Sequence, residues 1–198
     1  MTQFKDLAAK RRSIYHIGKN TDHTSQEIVD ALKAVLKDVP TAFNSQTSRV
    51  VIAFGDKHQD LWDEIYQVQE GVLEGDMWEQ MSGVIQGAKA GLGTILFFED
   101  LNEVENMPAN PERSTAYKEN NSANHQYAAW LTLAELDLGA TLQHFNIGYE
   151  QGFDKSIRQM FDLPDSYAML AQMPFGSIET PAGDKDYIDQ DEKVRVYE

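Results

Sequence analysis

The stretch TILFFED, Thr94 to Asp100, places four large apolar side chains in a row ahead of two carboxylates. A short apolar run of this kind, with glycine before it and acids after it, reads as a buried strand with an acidic exit. SRVVIAFG, Ser48 to Gly55, has the same character and is rich in β-branched residues, which suit a pleated backbone. SYAMLAQMPFG, Ser166 to Gly176, reads as a further strand running into a Pro-Gly turn, and Ala140 to Phe145 as a short one.

Helices separate these strands. Residues 2–12 read as a short helix with Phe4, Leu7 and Ala8 on one face. Thr24-Ser25-Gln26-Glu27 has the form of a capping box, Ile28, Val29, Leu32, Val35 and Leu36 follow as an apolar stripe, and Pro40 stops the helix. Another helix starts near Asp56 or Lys57 and carries Leu61, Trp62, Ile65 and Tyr66. The next spans Trp78 to Lys89, with Gly91 or Gly93 as its C-cap. Residues 102–121, with Pro108 and Pro111, read as a long excursion holding at most one helical turn. Asn121 or Ser122 then caps a strongly apolar helix from Ala123 to Leu138, closed by Gly139, which suits a central position or a subunit interface. Gly152 to Phe161 is the last helix, and the alternation Lys193 to Tyr197 is an extended arm or edge strand. Together these elements predict one α+β domain over residues 1–198, with a central sheet of about four or five strands.

Charge narrows the function. Against 17 Lys and Arg stand 32 Asp and Glu, giving a net charge of −15 and a pI near 4.6. Such a field repels nucleic acid and anionic membrane, so neither is an expected partner. The absence of cysteine excludes disulfides, thiolate nucleophiles and Cys-ligated metals. The opening MTQFKDLAAKRRS lacks the apolar core of a signal peptide, and no apolar run reaches membrane-spanning length, so a cytoplasmic protein is expected.

No P-loop, GxGxxG, HExxH or GxSxG motif occurs. His16, His23, His58, His125 and His144 lack metal-ligand spacing, and no metal site is expected. In so acidic a chain, any carboxylate pair reads first as solvated surface. Two basic clusters remain, Lys10-Arg11-Arg12-Ser13 and Lys193-Val194-Arg195. Arginine offers a planar fork of donors, serine a hydroxyl and lysine a point charge, which is what one phosphate group asks for. Plain electrostatics at a helix C-terminus is the competing account of the first cluster.

Over nearly its whole length the chain resembles the nitroreductase family of FMN-dependent flavoproteins. Lys10-Arg11-Arg12-Ser13 is similar to the family's R-x-S phosphate motif, and Pro40-Thr41-Ala42-Phe43-Asn44-Ser45-Gln46 to its P-S-S-x-N-x-Q loop. Gln86-Gly87-Ala88-Lys89 falls where members place an amide and a lysine. Gly93 to Asp100 and Leu138 to Asn146 resemble segments of a small bacterial and fungal subgroup, and Lys193-Val194-Arg195 resembles the C-terminal basic pair. The chain departs from the pattern at Tyr15, where many relatives carry a second cation, and at Thr41, Ala42, Thr47 and Ser48 within and after the loop.

The resemblance implies an α+β fold with a mostly antiparallel central sheet flanked by helices, and an intertwined homodimer. It implies FMN as cofactor, with its phosphate held by Arg11, Ser13, Lys193 and Arg195 and with Arg12 beside them. Lys89 would lie near the pyrimidine edge, where its charge favours the negative charge that develops on the reduced ring. Gln86 and Gln46 would bond ring or ribityl atoms, and Thr41, Asn44, Gln143 and His144 complete the expected cofactor contacts. In the family the Pro40–Gln46 loop comes from the partner subunit. The implied activity is transfer of hydride from NADH or NADPH through the flavin to a nitroaromatic, quinone or similar electron-poor acceptor, with no protein acid or base required. A flavin-binding sensor or storage protein with little turnover is the alternative. The 102–121 excursion, with Met107 and Tyr117, is the expected lid over the acceptor.

Overall fold

A computed structural model describes residues 4–145 and 153–198. Its elements, in chain order, begin with α1 (Phe4–Lys10), β1 (Ile17–Gly18), α2 (Ser25–Leu36), β2 (Ser48–Phe54) and α3 (Gly55–Glu70). They continue with α4 (Gly75–Lys89), β3 (Gly93–Asp100), α5 (Leu101–Glu105), α6 (Pro111–Glu135) and β4 (Gly139–Ala140), and end with α7 (Phe153–Met160), β5 (Tyr167–Ile178) and α8 (Gln190–Lys193). The expected contributions of residues 2–3, Asn146 and Gly152 lie outside the described residues.

The sheet runs β1-β5-β3-β2 with β4 also on β5, and every pairing is antiparallel. TILFFED is its centre: β3 pairs β2 on one side and β5 on the other, in registers such as Val51↔Leu96 and Ile95↔Met173. Because strand side chains alternate between faces, the unbroken apolar run feeds two cores at once. Ile95 and Phe97 join Met173, Phe175 and the helices α2 and α6 through Ile28, Leu32, Ala129 and Leu133. Leu96 and Phe98 face the other way, onto Leu61, Trp62 and Ile65 of α3, Ile85 of α4 and Ile157 of α7. Full burial of each such side chain contributes about 1.5–3 kcal/mol, so the central strand anchors both helical layers.

The capping box of α2 forms as read: the Thr24 side chain accepts from the Glu27 N–H, and the Glu27 carboxylate accepts from the Thr24 N–H at 2.8 Å. The 102–121 reading is corrected. That segment holds α5 and the first half of α6, a helix of 25 residues. Pro111 does not break it but occupies its first turn, where its missing N–H costs nothing, and Asn110 caps it by accepting from the Arg113 N–H at 2.9 Å. The helix escaped notice because its early buried positions are polar, Ser114, Asn121, Ser122 and His125, and give no apolar stripe. Its stop is also corrected. Asp137, not Gly139, takes the left-handed conformation (φ 58°), and the Leu138 N–H reaches back to Leu133 O at 2.9 Å in a Schellman closure. The expected strand Ala140–Phe145 shrinks to β4 plus a single bridge between Gln143 and Gln172. At the C-terminus, α8 precedes an exposed extended arm that pairs with no described strand.

Candidate functional site

The cationic segment leaves α1 and crosses the edge of β5. The Arg11 N–H still bonds Leu7 O at 2.9 Å, Ser13 bridges Ala140, and the Ile14 N–H bonds Ala140 O at 2.9 Å. Side-chain-free contacts let it lie this close. A Cβ on Gly139 would meet Ile14 Cγ2 at 2.9 Å, and one on Gly176 would meet the Gly18 carbonyl oxygen at 2.0 Å. Along one side of β5 the chain therefore strings β1, β4 and Gln143, opposite Ile178, Gly176 and Gln172. This composite edge brings Ser13, Gln143 and His144 to the same border of the sheet.

The three cations have different commitments. Lys10 pairs with Asp137 at 2.6 Å, a partly exposed link of α1 to the end of α6. Arg12 donates from Nη2 to Gly183 O at 2.7 Å. The Arg11 guanidinium lies over the Trp130 ring, 4.4 Å from its centroid, and its Nε is buried without a hydrogen-bond partner. Arg11 and Arg12 stand between two hollows. One, of about 570 Å³, is lined by residues 11–16 and 180–185, including Ser13, Asp184 and Lys185. The other, of about 210 Å³, is more apolar and is lined by Ile14, Trp130, Ala134, Leu138 and Ile178. Two guanidinium groups and a serine hydroxyl lining one hollow suit an anionic oxygen ligand.

The remaining predicted residues fall into three groups. Helix α4 meets the cationic segment at Gly87, where a Cβ would sit 3.1 Å from Tyr15 O, and exposed Gln86 precedes it. Lys89, one turn on, directs its ammonium at Asp63 of α3 instead. Thr41, Asn44 and Gln46 lie in the loop before β2, at the opposite edge of the sheet from β1. That loop contains a 3-10 turn, Ala42–Asn44, and three non-glycine residues at positive φ: Phe43 (58°), Asn44 (53°) and Gln46 (48°). Phe43 is 58% exposed and edge-packed on Tyr117 at 5.5 Å. Lys193 ends α8 and Arg195 lies on the exposed C-terminal arm beyond it, where it lines a shallow hollow with Asp191, Val194, Val196 and Tyr197. Within one chain, then, Arg11, Arg12 and Ser13 line one hollow, and Gln143 and His144 share their sheet border. The 41–46 loop lies at the opposite edge, Lys89 pairs with Asp63, and Lys193 and Arg195 sit at the exposed C-terminal end.

Sequence reading missed Trp130 as the platform for Arg11 and Lys185 as a further cation in the cleft. Trp130 was visible only as one apolar residue of a buried helix. Lys185 sits among exposed polar residues that carry no motif. Among the described residues no group of His, Asp and Glu could hold a metal ion, and no helix is long and apolar enough to cross a membrane.

Helices layered on both faces of an antiparallel sheet, with a basic segment running along its edge, define an α+β protein. The chain belongs to the nitroreductase family, whose pattern it matches over residues 8–177, and it has the nitroreductase fold. It is 31% identical to HBN1 of Saccharomyces cerevisiae, a protein named as a nitroreductase, over 98% of this chain and 96% of the relative. It is 26% identical to nitroreductase FRM2 of the same yeast, over 87% and 86%. The nitroreductase CinD of Lactococcus lactis, solved in complex with chloramphenicol, superposes with a TM-score of 0.86 at 34% identity, over 99% and 100% of the two chains. An FMN-bound nitroreductase from Desulfitobacterium hafniense shares the fold at a TM-score of 0.76 and 14% identity.

Proposed function

We propose that this chain is an FMN-dependent oxidoreductase that draws hydride from NADH or NADPH and delivers it to nitroaromatic, quinone or similar flat, electron-poor acceptors. The observation that carries the reading is the buried, unpaired Nε of Arg11 at a cleft that also holds Arg12 and Ser13. Membership in the nitroreductase family supports it, as do the CinD complexes with chloramphenicol and 4-nitrophenol, both nitroaromatics.

When bound, FMN supplies the acceptance and release of hydride. The polypeptide binds and orients. Arg11 and Ser13 would hold the phosphate, Arg12 would add its charge, and Gln143 and His144 would border the cofactor along the sheet edge. Gln86 reaches it from α4. Lys89, paired with Asp63 in this structure, would contribute its charge near the ring. Thr41, Asn44 and Gln46 act from a second copy, a reading supported by their place at the far edge of the sheet from Ser13. Lys193 and Arg195, exposed near the C-terminus, would add their charge to the phosphate in a homodimer.

The test is an absorption spectrum of the purified protein reconstituted with FMN, followed by anaerobic addition of NADH or NADPH. Flavin bands that bleach, and return when a nitroaromatic is added, are the expected result. Bands that persist would leave a flavin-binding protein without the reductase half-reaction.

A further inference from the structure

The Thr41–Thr47 loop holds an unfavourable shape. Phe43, Asn44 and Gln46 all carry side chains, yet all sit in the left-handed region, which a free chain of this sequence would leave. One side chain from another element spans the loop. Asn121 of α6, 1% exposed, accepts the Ala42 N–H on Oδ1 at 2.9 Å and donates from Nδ2 to Ser45 Oγ at 3.2 Å and Thr47 Oγ1 at 3.0 Å. A fourth bond, from the Gln46 N–H to Thr41 Oγ1 at 3.0 Å, closes the loop on itself.

The direction of these bonds is fixed from below. Glu99, fully buried in β3, accepts the Thr47 hydroxyl on Oε2 at 2.5 Å and the Ser48 hydroxyl on Oε1. In its ionised form Glu99 only accepts, so the single proton of Thr47 is then committed to Glu99 and the Thr47 oxygen can only accept in turn. The Asn121 atom facing Thr47 must therefore be its NH2, which leaves its carbonyl oxygen toward the Ala42 N–H. The polarity of one buried carboxylate thus passes through a hydroxyl and an amide to the backbone of the loop.

We propose that Asn121 is a positioning residue for the flavin site, holding the Thr41–Thr47 loop in the shape that presents Thr41, Asn44 and Gln46, with its amide orientation set by Glu99 through Thr47. The inference rests on the reading of that loop as a flavin contact. No motif marks Asn121 or Glu99, because the arrangement joins residues separated by 74 and 52 positions.

Three variants test it: Asn121→Asp, which keeps the shape and removes both donors; Thr47→Val, which keeps the branching and removes the hydroxyl; and Thr47→Ser, which keeps the hydroxyl. FMN affinity is measured by fluorescence titration of folded apoprotein well below its melting temperature, alongside the melting temperature itself. Asn121→Asp and Thr47→Val are expected to bind FMN about tenfold more weakly or worse, and Thr47→Ser to stay within about threefold of the parent. A fall in melting temperature with FMN affinity intact in Asn121→Asp and Thr47→Val would overturn the proposal, since the cluster would then only hold the fold. A parent chain that takes up no FMN at all would instead remove the flavin reading, and the positioning role with it.

Discussion

Arg11 and Arg12 are adjacent, carry the same charge and do different work. Arg12 is already bonded to Gly183 O, whereas Arg11 is laid on Trp130 with an N–H left over. Arg11→Ala is therefore expected to weaken FMN binding by about ten- to hundredfold, read by fluorescence titration, because charge-assisted bonds contribute about 1.5–3 kcal/mol. Arg12→Ala should have a smaller effect that includes loosening of residues 180–185. A second residue governs the acid response. His58, buried between Thr94 Oγ1 at 2.9 Å and Lys89 O at 3.1 Å, is pushed by burial from 6.5 down to about 4. Between those values the unfolded chain binds a proton that the folded chain refuses, so stability falls as pH drops from 6.5 toward 4, by about 3 kcal/mol at most. Glu99 acts in the opposite sense: burial raises its carboxyl above 4.5, so its cost grows as pH rises through that range and vanishes below it. Urea unfolding of the parent and of His58→Gln across pH 4 to 7 separates the two. The variant should show a shallower acid-side slope, the remainder coming from buried His125, which burial also pushes down, and an unchanged slope would place its origin elsewhere.

The start of α2, marked by side chains, was readable, and the stop of α6, set by backbone shape at Asp137, was not. Thr24 and Glu27 form the capping box their spacing announced, and Thr24→Ala should lower the melting temperature by about 2–4 °C, from a loss of about 1 kcal/mol. The extent of α6 was hidden by Pro111 and by its buried polar residues, whose partners lie on other elements. Nor could the sequence tell which glycines matter. Gly176 does, since a Cβ there would lie 2.0 Å from Gly18 O, in the pairing that carries the cationic segment across β5. Gly176→Ala is expected to cost about 3 kcal/mol or more and lower the melting temperature on the order of 6–12 °C, with FMN affinity falling as β1 is displaced. Calorimetry and flavin titration of that variant check both.

At the scale of the molecule, the proposed cofactor residues divide between opposite edges of one sheet, and the proposed site is the one a second copy would complete. Arg11→Ala and Gln46→Ala place their defects in the two halves. Heterodimers of the two, isolated by differential tags, should contain one site with both defects and one with neither, and bind roughly one FMN per dimer at parental affinity. Two weakened sites would mean that the loop serves its own chain. The sequence by itself determined the three long strands, most helices, the acidic field and the basic segment, because burial of apolar runs and local capping are written in neighbouring residues. The tertiary structure alone decided that Arg11 rests on Trp130, that Lys89 turns to Asp63, and that Asn121 and Glu99 hold the loop. Those pairings depend on distances across the fold, and no local pattern encodes them.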